Sequence, residues 1–134
     1  MSDLRPGLRG SAKMVVGEEH TARRVGSGAI QVLATPVMIN LMEAAALDAM
    51  EKHLPAGRQS LGTHLDVSHV AATPVGMRVV AKAEVLEVDG NKVTLRVEAL
   101  DEAGLIDEGT HKRVVVDVAR FDARVQDKVK WPGS

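Results

Sequence analysis

The sequence predicts an α+β fold in which an antiparallel sheet wraps around one long helix. Three observations lead there. The stretch TPVMINLMEAAALDAMEKH, Thr35 to His53, is dominated by strong helix formers and is long enough for four to five turns. Four segments after it carry strand patterns separated by turn signals. A sheet with one apolar face needs a cover, and this Ala/Leu/Met helix is the only sizeable one the chain offers.

Taken in order, residues Ser11 to Val16 read as a first strand, with Met14, Val15 and Val16 at its end. Gly17 to Ser27 is polar and charged and reads as a loop, loosened by Gly26 and Gly28. Ala29 to Ala34 leads into the helix. Thr35 is placed to cap the helix start, and Pro36 suits the first helical position, where its missing N–H would be unpaired anyway. The helix should end near Leu54, because Pro55 and Gly57 follow. Leu61 to Val70 is the next strand. Arg78 to Val88 sets Val79, Ala81, Ala83 and Val85 on one face. Asp89-Gly90 signals a hairpin. Lys92 to Leu100 returns with Val93, Leu95, Val97 and Ala99 on one face, and Glu102-Ala103-Gly104 turns the chain again. Leu105 to Val118 is the last strand. Ala119 to Lys128 suggests a short terminal helix, followed by the tail Trp131 to Ser134. Strand, helix and a four-stranded meander together describe the hotdog fold, as a single domain over residues 1–134. One helix cannot cover every sheet edge, so a homodimer with paired edges is expected.

Composition narrows the function classes. The 134 residues are 45% hydrophobic, enough for a core, and the net charge of -1 favours no nucleic-acid partner. The only aromatics are Phe121 and Trp131, too few for a base-stacking surface. No apolar run approaches the ~20 residues of a membrane span. The N-terminus lacks the apolar core of a signal peptide. The absence of cysteine excludes disulfides and thiolate chemistry and fits a reducing, cytoplasmic location.

One charge breaks the helical pattern. Glu43 has Ile39, Asn40, Ala46, Leu47 and Met50 as its helical neighbours. A carboxylate in that stripe is costly unless it is paired or needed. On the following strand, period two places Leu65, Val67 and His69 on the apolar face, in the same layer as Glu43. A carboxylate and an imidazole meeting in an apolar layer form an acid–base pair. A buried structural pair satisfies the same pattern. Gly62 either eases a strand bend or lets a ligand approach the backbone. His64, Asp66 and Ser68 read as a solvated face, and His111, Lys112 and Arg113 as surface charges, with Arg113 also suited to a phosphate or carboxylate. His64 and His69 lie on opposite strand faces, so no metal site is expected.

Several short motifs taken together resemble the fluoroacetyl-CoA thioesterase-like group of hotdog thioesterases. They are Leu33-Ala34-Thr35 with Leu41-Met42-Glu43, Ser60-Leu61-Gly62-Thr63, Ser68-His69-Val70-Ala71-Ala72-Thr73-Pro74, Gly109-Thr110-His111-Lys112-Arg113, and Phe121-Asp122-Ala123-Arg124-Val125. The likeness runs from about Val32 to Val125. It implies hydrolysis of an acyl-CoA thioester to a carboxylate and free CoA, with CoA entering as part of the substrate and no separate cofactor. It implies catalytic roles for Thr35, Glu43 and His69, and substrate-binding roles for Gly62 and Arg113. Glu43 is then a nucleophile or the base for water, His69 moves the proton, and Thr35 orients the carbonyl or Glu43. The family's aromatic lid ahead of the helix has no counterpart in Gly26-Ser27-Gly28-Ala29-Ile30, and Pro36 stands where the family has glycine. These departures suggest a different or larger acyl group. Thr35 and Glu43 are about 12 Å apart along a regular helix, so either the helix start is irregular, the two act on different atoms, or a second subunit supplies one of them. Hydration or dehydration of an acyl thioester, and non-catalytic binding of an acyl-CoA or small carboxylate, remain alternatives on the same fold.

Overall fold

The computed structural model describes residues 3–129. Five strands form one antiparallel sheet: β1 (Arg9–Val15), β2 (Arg58–His69), β3 (Arg78–Asp89), β4 (Lys92–Asp101) and β5 (Gly104–Asp117). The central helix α2 runs Thr35–Met50 and tightens into a 3₁₀ turn at Glu51–His53 before Pro55, close to the expected stop. A terminal helix, α3, spans Val118–Val129. The tail from Trp131 lies outside the described residues.

The core is the predicted one. Met38, Leu41, Met42, Ala45, Ala46, Ala49 and Met50 of α2 are buried against Val79, Ala81, Ala83 and Val85 of β3 and Val93, Leu95, Val97 and Ala99 of β4. Each fully buried Met, Leu or Val contributes about 1.5–3 kcal/mol, so this layer holds the helix in one place along the sheet. The alanines let the backbone of β1 come close. A Cβ on Gly10 would overlap the Ala45 carbonyl and the Ala49 amide, and the Ser11 amide donates to the Asp48 carboxylate at 2.9 Å.

Two expectations change. The strands after the helix are not one meander: the sheet order is β1-β3-β4-β5-β2. Only β3, β4 and β5 follow one another, through two-residue turns at Gly90-Asn91 and Glu102-Ala103. The eight-residue connection 70–77 is interrupted by Pro74 and too long for a hairpin, so it carries the chain across the sheet. There β3 pairs with β1, while β2 pairs with β5 and becomes an edge. The segment expected to be a plain loop also contains structure: a 3₁₀ turn at Glu18–His20 and a one-turn helix α1 at Ala22–Val25, capped by the Thr21 hydroxyl.

Backbone bonds fix the entry to α2. The Ala34 amide donates to the His20 carbonyl and the Leu33 amide to the Thr73 carbonyl, each at 2.8 Å. The Thr73 hydroxyl in turn donates to Asp101 at 2.8 Å, and Asp101 also accepts the Ala103 and Gly104 amides of the β4–β5 turn. The helix start, the connection after His69 and a sheet turn are thereby clamped together.

Candidate active site

The functional side chains gather along the line where α2 crosses β2 and β5, in two groups. The first lies at the start of α2. Thr35 is not the cap: Ala34 occupies that position, with extended backbone and no capping side chain, and Thr35 is the first helical residue. Its hydroxyl is engaged elsewhere, 2.8 Å from Nδ1 of His69 at the end of β2. Pro36 has no N–H, and the Val37 and Met38 amides both bond the Ala34 carbonyl. The Thr35 amide makes no backbone hydrogen bond, so a donor at the positive end of the helix sits beside the Thr35–His69 contact.

The second group lies two turns along the helix. Glu43 meets Arg113, with Nη1 to Oε2 at 3.3 Å, and His111 Nε2 lies 3.8 Å from the same oxygen. Arg113 also donates from Nε to the Ser60 hydroxyl at 2.8 Å and from Nη2 to the Ser60 carbonyl at 3.0 Å. Gly62 makes room for this arrangement. A Cβ there would overlap the Glu43 carboxylate and come within 3.0 Å of the His111 ring. The pairing register shifts between Gly62 and His64. That bulge keeps Ser60 and Gly62 on the same face as Leu65, Val67 and His69, whereas unbroken alternation places Gly62 on the opposite one.

His111 and Arg113 are not surface charges. Arg113 is 5% exposed and His111 fully buried, while Lys112 between them is exposed. The His111 ring is held in one tautomer: Nδ1–H donates to the His64 carbonyl at 2.9 Å, and Nε2 accepts from Arg113 Nη1 at 3.0 Å. Burial pushes its pKa below the ordinary 6.5; the His64 carbonyl opposes this most, Arg113 adds to the lowering, and Glu43 opposes it least. Burial also lowers the Arg113 pKa, with Glu43 the main opposing influence. A neutral His111 therefore acts as a fixed acceptor that orients the guanidinium.

This has a consequence for stability. The unfolded chain takes up a proton at this histidine near pH 6.5, and the folded chain resists it. Stability contributed here is present above that pH and is lost as pH falls toward the depressed folded value. Urea midpoints at pH 7.5 and 5.5 should show a larger acid loss for wild type than for His111→Gln.

No hydrogen bond or ion pair joins Glu43 to His69 within the chain; their partners are Arg113 and Thr35. The expected acid–base pair thus stands as two half-sites on one ridge. Ser60 and His111 are additional members that sequence reasoning missed. The alternation Asp107, Gly109, His111, Arg113, Val115 does point them inward, but three of those positions are polar or charged and the run Val114-Val115-Val116 hides the parity. Among the described residues, no group of three or more His, Asp or Glu is arranged to hold a metal ion. A cleft of about 500 Å³, lined by Arg9, Asp48, Lys82, Glu84, Arg96 and Glu98, contains none of the candidate residues.

Comparison with known proteins agrees with this fold. Residues 16–119 match the family described as fluoroacetyl-CoA-specific thioesterase. The fluoroacetyl-CoA thioesterase of Streptantibioticus cattleyicolor is 43% identical over 98 residues, which are 73% of this chain and 70% of that protein. A crystal structure of a point mutant of the fluoroacetyl-CoA-specific thioesterase FlK superposes with a TM-score of 0.88 at 37% identity, covering 96% of this chain and 99% of that one. A thioesterase superfamily member from Thermus thermophilus gives 0.90 at 31% identity over the whole of both chains. The chain belongs to the fluoroacetyl-CoA-specific thioesterase family and is an acyl-CoA thioester hydrolase of hotdog fold.

Proposed function

We propose that the protein hydrolyses its acyl-CoA thioester as a homodimer, at a site that combines Thr35 and His69 of one subunit with Glu43, Gly62 and Arg113 of the other. The observation that carries this is the separation of the two half-sites along α2, with β2 as the unpaired edge beside them. Antiparallel pairing of two β2 edges about their middle brings the His69 end of one strand beside the Ser60–Gly62 end of its partner. Each half-site then meets its complement.

In this site the thioester carbonyl accepts from the free Thr35 amide at the helix start, which stabilises the oxyanion as it forms. Glu43, held by Arg113, either attacks the carbonyl carbon, forming an anhydride that water then hydrolyses to the carboxylate, or takes the proton from an attacking water. His69, aligned through Nδ1 by the Thr35 hydroxyl, moves the proton to the departing CoA thiolate. Side chains and water supply the whole reaction, and CoA enters only as substrate.

The segment Gly26–Ile30 ahead of the helix is exposed and has no aromatic to close over a small acyl group. The acyl group is therefore one other than fluoroacetyl, and larger. A cytoplasmic setting follows from CoA being an intracellular carrier. Thiol release from acyl-CoAs running from acetyl and fluoroacetyl to medium-chain and aryl groups tests the proposal, with wild type and His69→Ala side by side. Release that disappears in the variant is expected, with a preference beyond two carbons. Loss of enoyl absorbance without thiol release would indicate a hydratase. No turnover, with binding retained, would indicate an acyl-CoA binder.

A further inference from the structure

Beside the Thr35–His69 contact lies a carboxylate that the proposed chemistry does not use. Asp107 is the direct cross-strand neighbour of His69 in the β2–β5 pair. Directly opposed residues share a sheet face, and this face is the inner one, since Asp107 is fully buried. Neither of its carboxylate oxygens has a hydrogen-bond partner, and the same is true of Nε2 of His69, which is also buried. Buried polar atoms are rarely left unsatisfied, because each costs about 1–3 kcal/mol. No hydrogen bond or ion pair joins the two side chains; an imidazole nitrogen and a carboxylate face the same buried layer as unbonded neighbours.

We propose that Asp107 is a positioning residue for His69: its carboxylate, beside the ring but not bonded to it, favours the tautomer whose Nδ1 lone pair meets the Thr35 hydroxyl. This rests on the reading of His69 as the proton carrier. When Nδ1 takes up a proton, the ring becomes a cation in an apolar layer, and the Asp107 carboxylate balances it. Thr35, His69 and Asp107 then form a hydroxyl–imidazole–carboxylate series within one subunit, and only Glu43 and its anchors come from the other.

The surroundings leave this role to Asp107 alone. On β2, Asp66 and Ser68 are exposed on the opposite face. On β5, Glu108 is exposed, while His111 and Arg113 are committed to the Glu43 group. On β4 the residue opposite Asp107 is Ala99, and Asp101 is engaged by Thr73 and the turn amides. On α2 the near group is the uncharged Thr35. Burial raises the Asp107 carboxyl above its ordinary pKa, and the neighbouring His69 is the largest influence pulling it back.

Asp107→Asn, with Asp107→Ala as a second variant, decides the matter. Turnover is followed by thiol release across pH 5–9, and the His69 ring by ¹⁵N-histidine NMR, its signals assigned with His69→Gln. For Asp107→Asn we expect a melting temperature equal to or above wild type, because an unpaired buried carboxylate is removed. KM should stay within about twofold, kcat should fall at least about tenfold, and the acidic limb of kcat/KM should move to lower pH by about one unit. Unchanged ring signals and an unchanged limb overturn the proposal. So does a loss of activity that merely follows a loss of melting temperature in both variants. The ring titration needs no substrate, so it decides the role of Asp107 even if wild type proves not to hydrolyse thioesters.

Discussion

Mixing Glu43→Ala with His69→Ala should restore about a quarter of wild-type turnover, although each variant alone loses about a thousandfold or more. The arithmetic follows from the half-sites. After subunit exchange at equal concentration, half the dimers are mixed. Each mixed dimer holds one site with both defects and one with neither, so a quarter of all sites are intact. If Glu43 and His69 worked within one chain, no mixture could regenerate a complete site and turnover would stay at the variant level. Thiol release before and after exchange, with dimer mass checked by sedimentation, separates the two. The geometry favours recovery: Glu43 is bound to Arg113, and His69 to Thr35, two helical turns away.

Much of this was legible in the sequence because the signals were local. The long helix announces itself through propensity. Val79 to Val85 and Val93 to Ala99 announce their buried faces through alternation, and Asp89-Gly90 marks its own hairpin. Glu43 and His69 stood out as polar groups in otherwise apolar patterns. What the sequence hid was non-local. That β2 crosses to the far side of the sheet depends on which strand edge the 70–77 connection reaches, and pairing of distant strands leaves no local trace. The bulge after Gly62 moves that glycine to the inner face, and no residue pattern marks where alternation slips. His111 and Arg113 were read as surface charges because burying them is costly in isolation. Their partners, Ser60 and the His64 carbonyl, lie some fifty residues earlier. Thr35 was read as a cap for the same reason: capping is a local role, and its actual partner is His69.

Replacing Arg113 should show how far the Glu43 half-site depends on the guanidinium's shape as well as its charge. Arg113→Lys keeps the cation but cannot reach Glu43, His111 and both Ser60 oxygens at once, because a single ammonium has no planar fork. The Ser60 carbonyl and hydroxyl lose donors in a buried layer, and His111 Nε2 loses its own. We expect Arg113→Lys to lower stability by about 1–2 kcal/mol and turnover about a hundredfold. Arg113→Ala should cost about 2–4 kcal/mol, somewhat below the range for a fully buried pair, because the Glu43 side chain is 34% exposed. Urea midpoints at constant slope give the stability change, and thiol release gives the activity. If Lys at this position supported wild-type turnover, the guanidinium would be no more than a counter-charge for Glu43. A large activity loss in the lysine variant with only a modest stability loss would mean that the fork sets the direction of the Glu43 carboxylate. The bulge at Gly62, the tautomer of His111 and the burial of Ser60 would then all serve to place one carboxylate oxygen against the partner's histidine.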